Sequence, residues 1–246
     1  MNNLRNTPII GASRTSFQCK KTIRIIMNKI KKISDLEGKR LLDVGCGDGS
    51  FTIELSSNFK EVHAIDVQQD YINSFSQKIR NQNKYILHTM SACEMNFPKE
   101  YFDTVISIET IEHVSDLTSA VSELYRVLRR GGELIITCPN RLFPFETHGI
   151  MIWRKRIQTR IPLITWIPFL HNKFSLARAF TVRRLDKMFN QLGFQRVAKD
   201  YIWPTFEHGG NPFQLLFKPL FGLMRFGETS WIRFLGSSII VKYIKQ

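Results

Sequence analysis

From Phe17 to Ile33, apolar residues fall at three- and four-residue steps: Ile23, Ile26, Met27, Ile30 and Ile33 share one face, with lysines between them. That spacing predicts an amphipathic helix, and residues 1–15 before it read as a loose tail. The pattern then shortens. Lys39 to Val44 is a compact apolar run ending in glycines, a strand, followed by a helix over Ser50 to Asn58 and a second strand over Glu61 to Asp66. Val67 to Gln82 is helical, with Tyr71, Phe75 and Ile79 on one face, and Tyr85 to Met90 is a third strand. Phe102 to Ile108 is a fourth. Asp116 to Leu128 is a helix with Leu117, Val121, Leu124 and Leu128 in register, ended by Gly131-Gly132 and followed by a fifth strand, Glu133 to Cys138.

Strands alternating with helices predict an α/β fold, a doubly wound and mainly parallel sheet covered on both faces. Residues 139–178 break the rhythm with four prolines, several aromatics and many arginines, and read as an insertion. Thr181 to Gln191 is a helix capped by Gly193, Phe194 to Ile202 a strand, and Ser237 to Ile244 the closing strand. Between those last two strands, residues 203–236 form a second insertion, aromatic and rich in Pro and Gly. The organisation expected is therefore a tail and basic helix over 1–34, then one domain over 35–246 with insertions at about 140–178 and 203–236.

Composition narrows the class. The chain has 246 residues, 43% hydrophobic and 23% charged, which excludes wholesale disorder. Cys19, Cys46, Cys93 and Cys138 are dispersed with no CxxC pair, which excludes a zinc ribbon and predicts reduced thiols in a cytoplasmic protein. The first residues lack a continuous apolar run of the kind a secretory leader needs. Ile161 to Asn172 is uncharged for 12 residues but holds two prolines, and a membrane span needs roughly 20 residues, so no spanning helix is expected. The net charge of +14 is unevenly spread: +8 over residues 1–40, −6 over 41–139 and +12 over 140–246. Basic flanks around an acidic middle suit an anionic partner, whether a phospholipid surface, a phosphorylated substrate or nucleic acid, or form a solvated charged face.

Chemistry concentrates in Leu41-Leu42-Asp43-Val44-Gly45-Cys46-Gly47-Asp48-Gly49-Ser50, a buried strand running into a glycine turn and a helix start. Glycines permit positive φ and let a ligand approach the backbone. Seventeen residues after Gly49 the second strand ends in Asp66, whose carboxylate would face the loop across neighbouring strand ends and could accept from both hydroxyls of a ribose. The dinucleotide pattern G-x-G-x-x-G fits poorly because its last position is Ser50, and a Walker loop is excluded by the missing GK[ST].

Asp43 to Gly49 resembles the first motif of class I S-adenosylmethionine-dependent methyltransferases, of the ubiquinone-biosynthesis and methyltransferase type 11 kind. Ala64-Ile65-Asp66 resembles the ribose-binding end of their second strand, Phe102 to Ser107 their fourth-strand motif, and Arg126 to Gly132 the turn before their fifth strand. The resemblance covers about residues 35–140 and, more weakly, 180–202 and the last strand. It implies a Rossmann-like seven-stranded sheet and S-adenosylmethionine as cofactor. Gly45, Gly47 and Gly49 would admit the methionine part, Asp43 would order the loop and the amino group, and Asp66 with Val67 would hold the ribose end. Ala92 and Cys93 would flank the adenine. One departure stands beside them: Ser91 occupies the place where many members carry an Asp next to the base.

Just past the fourth strand runs Glu109-Thr110-Ile111-Glu112-His113. On a helical turn, positions i, i+3 and i+4 point the same way, and two carboxylates with an imidazole suit a divalent cation such as Mg²⁺ or Mn²⁺. The segment resembles two methyltransferase groups: ubiquinone-type O-methyltransferases, and the small-RNA 3′-terminal 2′-O-methyltransferases, where a further downstream His helps. His148 is the candidate here, with His171 behind it. Glu109, Glu112, His113 and His148 would then be metal ligands. In the metal-free reading, Glu109 shapes the cofactor pocket and His113, with Glu112, serves as a general base or merely lines the site; a purely structural role for the segment is the third reading.

The two insertions mix Trp, Phe and Leu with Arg and Lys, as in segments that lie in a membrane interface, and equally as in a lid packed on the core. The expectation is methyl transfer to a small, apolar or lipid-linked acceptor, most naturally at a hydroxyl, by a cytoplasmic protein able to sit at an anionic membrane surface. An RNA ribose 2′-O-methyltransferase with a metal-assisted site and a non-catalytic S-adenosylmethionine-binding protein are the rivals. The basic regions contain no RNA-binding module and are unusually apolar, which disfavours nucleic acid.

Overall fold

Helix α1 (Ser16–Ile33) turns Ile26, Met27 and Ile30 into the interior, as the three- and four-residue spacing requires. Strand β1 (Glu37–Val44) starts exposed and ends with four buried residues, Leu41 to Val44, as a central strand covered on both faces must. Helix α2 (Ser50–Leu55), strand β2 (Asn58–Asp66), helix α3 (Gln69–Ser76) and strand β3 (Tyr85–Thr89) follow, then β4 (Phe102–Ile108), helix α4 (Leu117–Val127) and β5 (Leu128–Pro139). An insertion of short pieces comes next: β6 (Phe145–Glu146), β7 (Ile150–Ile152), β8 (Lys155–Ile157), β9 (Ile161–Pro162), a 3₁₀ turn at Ile164–Trp166 and helix α5 (Pro168–Phe174). Helix α6 (Val182–Asn190), β10 (Phe194–Ile202), a 3₁₀ turn at Trp231–Leu235 and β11 (Ser238–Lys245) complete the order. The computed structural model describes residues 16–80, 83–153, 155–157, 161–204, 227 and 230–246. The expected tail, the end of the helix expected to reach Gln82 and most of the 203–236 insertion lie outside the described residues.

Seven strands form one sheet in the order β10-β11-β5-β4-β1-β2-β3. β1 pairs in parallel with β2 and β4, β2 with β3, and β4 with β5, while β11 runs antiparallel between β5 and β10. Alternation along the strands divides the core. In β5, Leu134, Ile136 and Cys138 pack with Val121 and Leu124 of α4 and Leu185 and Phe189 of α6, whereas Ile135 faces the side of α1 and α2. β11 does the same, Ile239, Val241 and Tyr243 on one face and Ile240 on the other. Because β1 has β2 on one side and β4 on the other, the winding reverses there, and the crevice of an open α/β sheet lies beyond these strand ends.

Some boundaries differ from the periodicity. The helix expected to reach Asn58 ends at Leu55, because Asn58 already begins β2. The helix expected from Val67 starts at Gln69, since Asp66 accepts the N–H of Gln68 at 2.9 Å and holds a turn there. Gly131-Gly132 does not stop α4, which ends at Val127; the pair lies inside β5, opposite a register shift between Phe102 and Thr104. Asp116 caps α4 by accepting from the N–H groups of Thr118 and Ser119, and Thr181 caps α6. No helix among the described residues is long and apolar enough to cross a membrane.

Candidate active site

The turn leaving β1 is pinned to β2 by main-chain bonds from Gly45 and Cys46 to Ile65 O, at 2.8 and 3.0 Å. Its glycines differ in what surrounds them. A Cβ on Gly45 would lie 2.2 Å from Thr110 Cγ2, and one on Gly49 2.1 Å from Phe75 Cδ2, so these two permit close packing. Gly47, with φ +53°, has nothing within 4 Å of that position and presents bare backbone to open space. Its N–H donates to Asp66 Oδ2 at 3.0 Å, so the carboxylate closing β2 also fixes the turn. Val67 follows it and is exposed.

Asp43 is buried beneath the turn and accepts from Thr52 Oγ1 at 2.6 Å. Burial pushes its carboxyl up to about 7; the Thr52 bond opposes the shift and the charge of Asp66 reinforces it. Met90 N–H donates to Asp66 O at 2.9 Å, which brings the segment after β3 alongside the second strand end. There Ser91 Oγ accepts the Cys93 N–H at 3.1 Å, so Ser91 orders its own turn, and the Cys93 thiol reaches Asp116 O at 3.3 Å.

β4 ends in a residue of unusual backbone. Glu109 has φ +52°, the left-handed region, and its N–H is held at 3.0 Å from both Thr137 O and Thr137 Oγ1. Its Oε1 is buried with no hydrogen-bond partner among the described residues. The following residues form a turn, closed by the His113 N–H donating to Thr110 O at 2.9 Å, rather than a continuing helix. Glu112 is fully buried at its side chain, and His113 is exposed. The insertion brings in His148, whose Nε2 stands 3.7 Å from Glu112 Oε1 and 4.0 Å from Glu109 Oε2. The rings of His113 and His148 meet edge to face with centroids 5.5 Å apart. Ligand atoms of Glu112, His113 and His148 lie within 4.8 Å of one another, while Glu109 borders this group through His148.

The pattern along the chain did not reveal what holds His148. Glu146 in β6, 3% exposed, accepts from His171 Nε2 at 2.7 Å, Ser175 Oγ at 2.9 Å and the His148 backbone N–H at 2.8 Å. Burial raises the Glu146 carboxyl, but the bonds from His171 and His148 outweigh it and hold it below the usual range. His171, 2% exposed, is therefore committed to Glu146 and backs the cluster from behind. The only hint in the sequence was an acid two residues before His148, in Phe-Glu-Thr-His.

Residues 42–136 match the methyltransferase domain family. Over 122 residues the chain is 32% identical to a ubiquinone biosynthesis O-methyltransferase of Rickettsia akari, covering 50% of this chain and 47% of that one. Over 102 residues it is 34% identical to a phosphatidylethanolamine N-methyltransferase of Cereibacter sphaeroides, covering 40% and 50%. The matched region thus spans about half the length of these relatives. Among solved structures, an S-adenosylmethionine-dependent methyltransferase from Mesorhizobium loti superposes with TM-score 0.62 at 14% identity, over 90% of this chain and 98% of that one. The [4+2]-cyclase SpnF superposes at 0.59 with 18% identity, over 96% and 85%, so the fold alone does not specify the reaction. Over residues 42–136 the chain is thus similar to the methyltransferase domain family, and its strand order and overall fold are those of solved S-adenosylmethionine-dependent methyltransferases.

Proposed function

We propose that this chain transfers the methyl group of S-adenosylmethionine to a hydroxyl of a small acceptor that is apolar or lipid-linked. The observation that carries the proposal is the grouping of Glu112, His113 and His148 at the end of β4, one strand from the turn that exposes Gly47. The cofactor supplies an already activated methyl carbon, so the protein's task is to align it with a nucleophile and exclude water. Positioning of this kind is worth roughly 7–11 kcal/mol.

In this reading Gly47 lets the methionine end lie against the backbone, and Asp43 meets the amino group. Asp66 with Val67 holds the ribose end, and Ala92 and Cys93 flank the adenine. Glu109, strained and half-buried, walls the pocket between the two substrates. His113, the exposed member of the cluster, takes the acceptor's hydroxyl proton, and buried Glu112 favours the imidazolium so formed. One carboxylate and two imidazoles within 4.8 Å also fit a divalent cation; Glu112, His113 and His148 would hold Mg²⁺ or Mn²⁺, which would acidify the acceptor hydroxyl.

The acceptor class is supported by the insertion beside the cluster. Trp153 is 93% exposed and Phe169 71%, with Leu163, Trp166 and Ile167 also at the surface and Lys173 against the Phe169 ring. Exposed aromatics mixed with cations suit an anionic membrane surface, from which a lipid-linked substrate would be drawn. The relatives named for ubiquinone biosynthesis and phosphatidylethanolamine methylation support the same class.

The test is labelled-methyl transfer into a cell extract, followed by partition into organic, aqueous and RNA fractions. Label in the organic fraction, lost in Glu112→Ala and His113→Ala while cofactor binding persists, is the expected result. Label in RNA, with steeply salt-dependent binding, would overturn the acceptor assignment. Chelation followed by Mg²⁺ titration separates the cation from the metal-free base, and flotation with and without anionic lipid tests the surface.

A further inference from the structure

Arg141 leaves the C-terminal end of β5 with its main chain fixed. Its N–H donates to Phe180 O at 2.8 Å, and Phe180 in turn donates to Pro139 O at 2.9 Å. The Nη2 of its guanidinium is buried and has no hydrogen-bond partner among the described residues. Arg184, in the first turn of α6, sits 5.6 Å above the ring of the same Phe180. Neither arginine makes an ion pair among the described residues, whereas Arg40, Arg126, Arg129, Arg130 and Arg196 each face a carboxylate. Burial, and after it the charge of Arg184, disfavours the protonated form of Arg141. Two like charges close enough to disfavour one another, one with a buried donor left over, form an arrangement that an anion would relieve.

We propose that Arg141 and Arg184 form a subsite for a phosphate-class anion carried by the methyl acceptor. A phosphate offers several acceptor oxygens and up to two charges, which matches two planar guanidinium groups better than a single carboxylate does. The subsite lies at the end of β5, whose neighbour β4 ends in the Glu112–His113 turn. The two are tied together by Arg178, whose N–H donates to Glu112 O at 3.1 Å, two residues before Phe180. An acceptor anchored here by its anion would extend toward His113 and His148. The net charge of +12 over residues 140–246 would draw such a molecule in. The inference rests on reading the Glu112–His113–His148 cluster as the acceptor end of the site.

The test uses the full chain with Arg141→Gln and Arg184→Gln, probed by calorimetry with inorganic phosphate and with monomeric lysophosphatidic acid. Saturable binding that weakens at least tenfold in each variant is expected, with S-adenosylmethionine affinity unchanged. In the absence of anion, Arg141→Gln should keep or raise the thermal midpoint, which a merely structural arginine would not do. Tighter binding of the lysolipid than of phosphate identifies a lipid headgroup as the source, and equal binding identifies the phosphate group alone. Either probe binding equally to wild type and variants, or binding to none, overturns the subsite. Loss of cofactor binding in the wild type would instead overturn the methyltransferase reading.

Discussion

The buried carboxyl of Asp43 sets a pH dependence whose sign and size follow from its surroundings. In the folded chain burial pushes it up to about 7, against 3.8 when solvated, with Thr52 opposing and Asp66 reinforcing the shift. Below about pH 4 the group is protonated in both states and contributes nothing. Between pH 4 and 7 the unfolded chain releases the proton while the folded chain keeps it, so stability falls as pH rises. Above about pH 7 the full penalty is present: a gap of about three units at 1.36 kcal/mol each, on the order of 4 kcal/mol. Asp43→Asn removes the titration while retaining an oxygen for the Thr52 hydroxyl. Urea unfolding of both proteins without cofactor, from pH 4 to 8, should show the variant gaining on the wild type by that amount and then levelling off. Subtracting the two curves cancels the groups they share. A difference that stays within about 1 kcal/mol across the range, or that shrinks with pH, would refute the reasoning. The same variant should bind S-adenosylmethionine more weakly at pH 8, stability and binding moving in opposite directions.

Gly49→Ala combines a left-handed backbone with a methyl group 2.1 Å from Phe75, and should lower stability by roughly 2–4 kcal/mol in thermal or urea unfolding. Gly47→Ala meets no neighbour and should cost only about 1–2 kcal/mol, yet lose cofactor affinity by calorimetry; unchanged affinity would show that this face is not used. Glu146→Gln keeps the shape but not the charge that His171 and the His148 loop share. Turnover should fall at least tenfold with cofactor affinity unchanged, alongside a stability loss of about 1–3 kcal/mol.

Strands β4 and β10 have the same limits in the sequence pattern and in the structure, because each is an uninterrupted run between turn residues. The helices were less legible at their ends, where side-chain bonds such as Asp66 to Gln68 N–H override periodicity. Gly131-Gly132 reads as a stop, yet a parallel strand can absorb such a pair as an irregularity in the ladder. The insertion was opaque for a simpler reason: β6 to β9 are two or three residues each, too short to show any period. The same divide runs through the site. Asp43 to Gly49 and Glu109 to His113 are contiguous, so their chemistry is visible in the chain. Glu146 and His171 are far apart in sequence and meet only after the insertion folds, and no local pattern announces such a pair.

Strand β11 has a consequence for how the molecule is made. It follows both β5 and β10 in the chain yet lies between them, bonded along its length to each. A nascent polypeptide on the ribosome therefore completes β10 without a strand to pair with, although α1, α4 and α6 already offer it side-chain contacts, and β5 has an unpaired edge until β11 is made. The seven-stranded sheet can close only once β11 has been made. A premature stop between Ile202 and Ser238 leaves β10 made but unpaired with β5, so the cell's quality control would meet such products as sticky, unfinished chains, not as slightly shortened proteins.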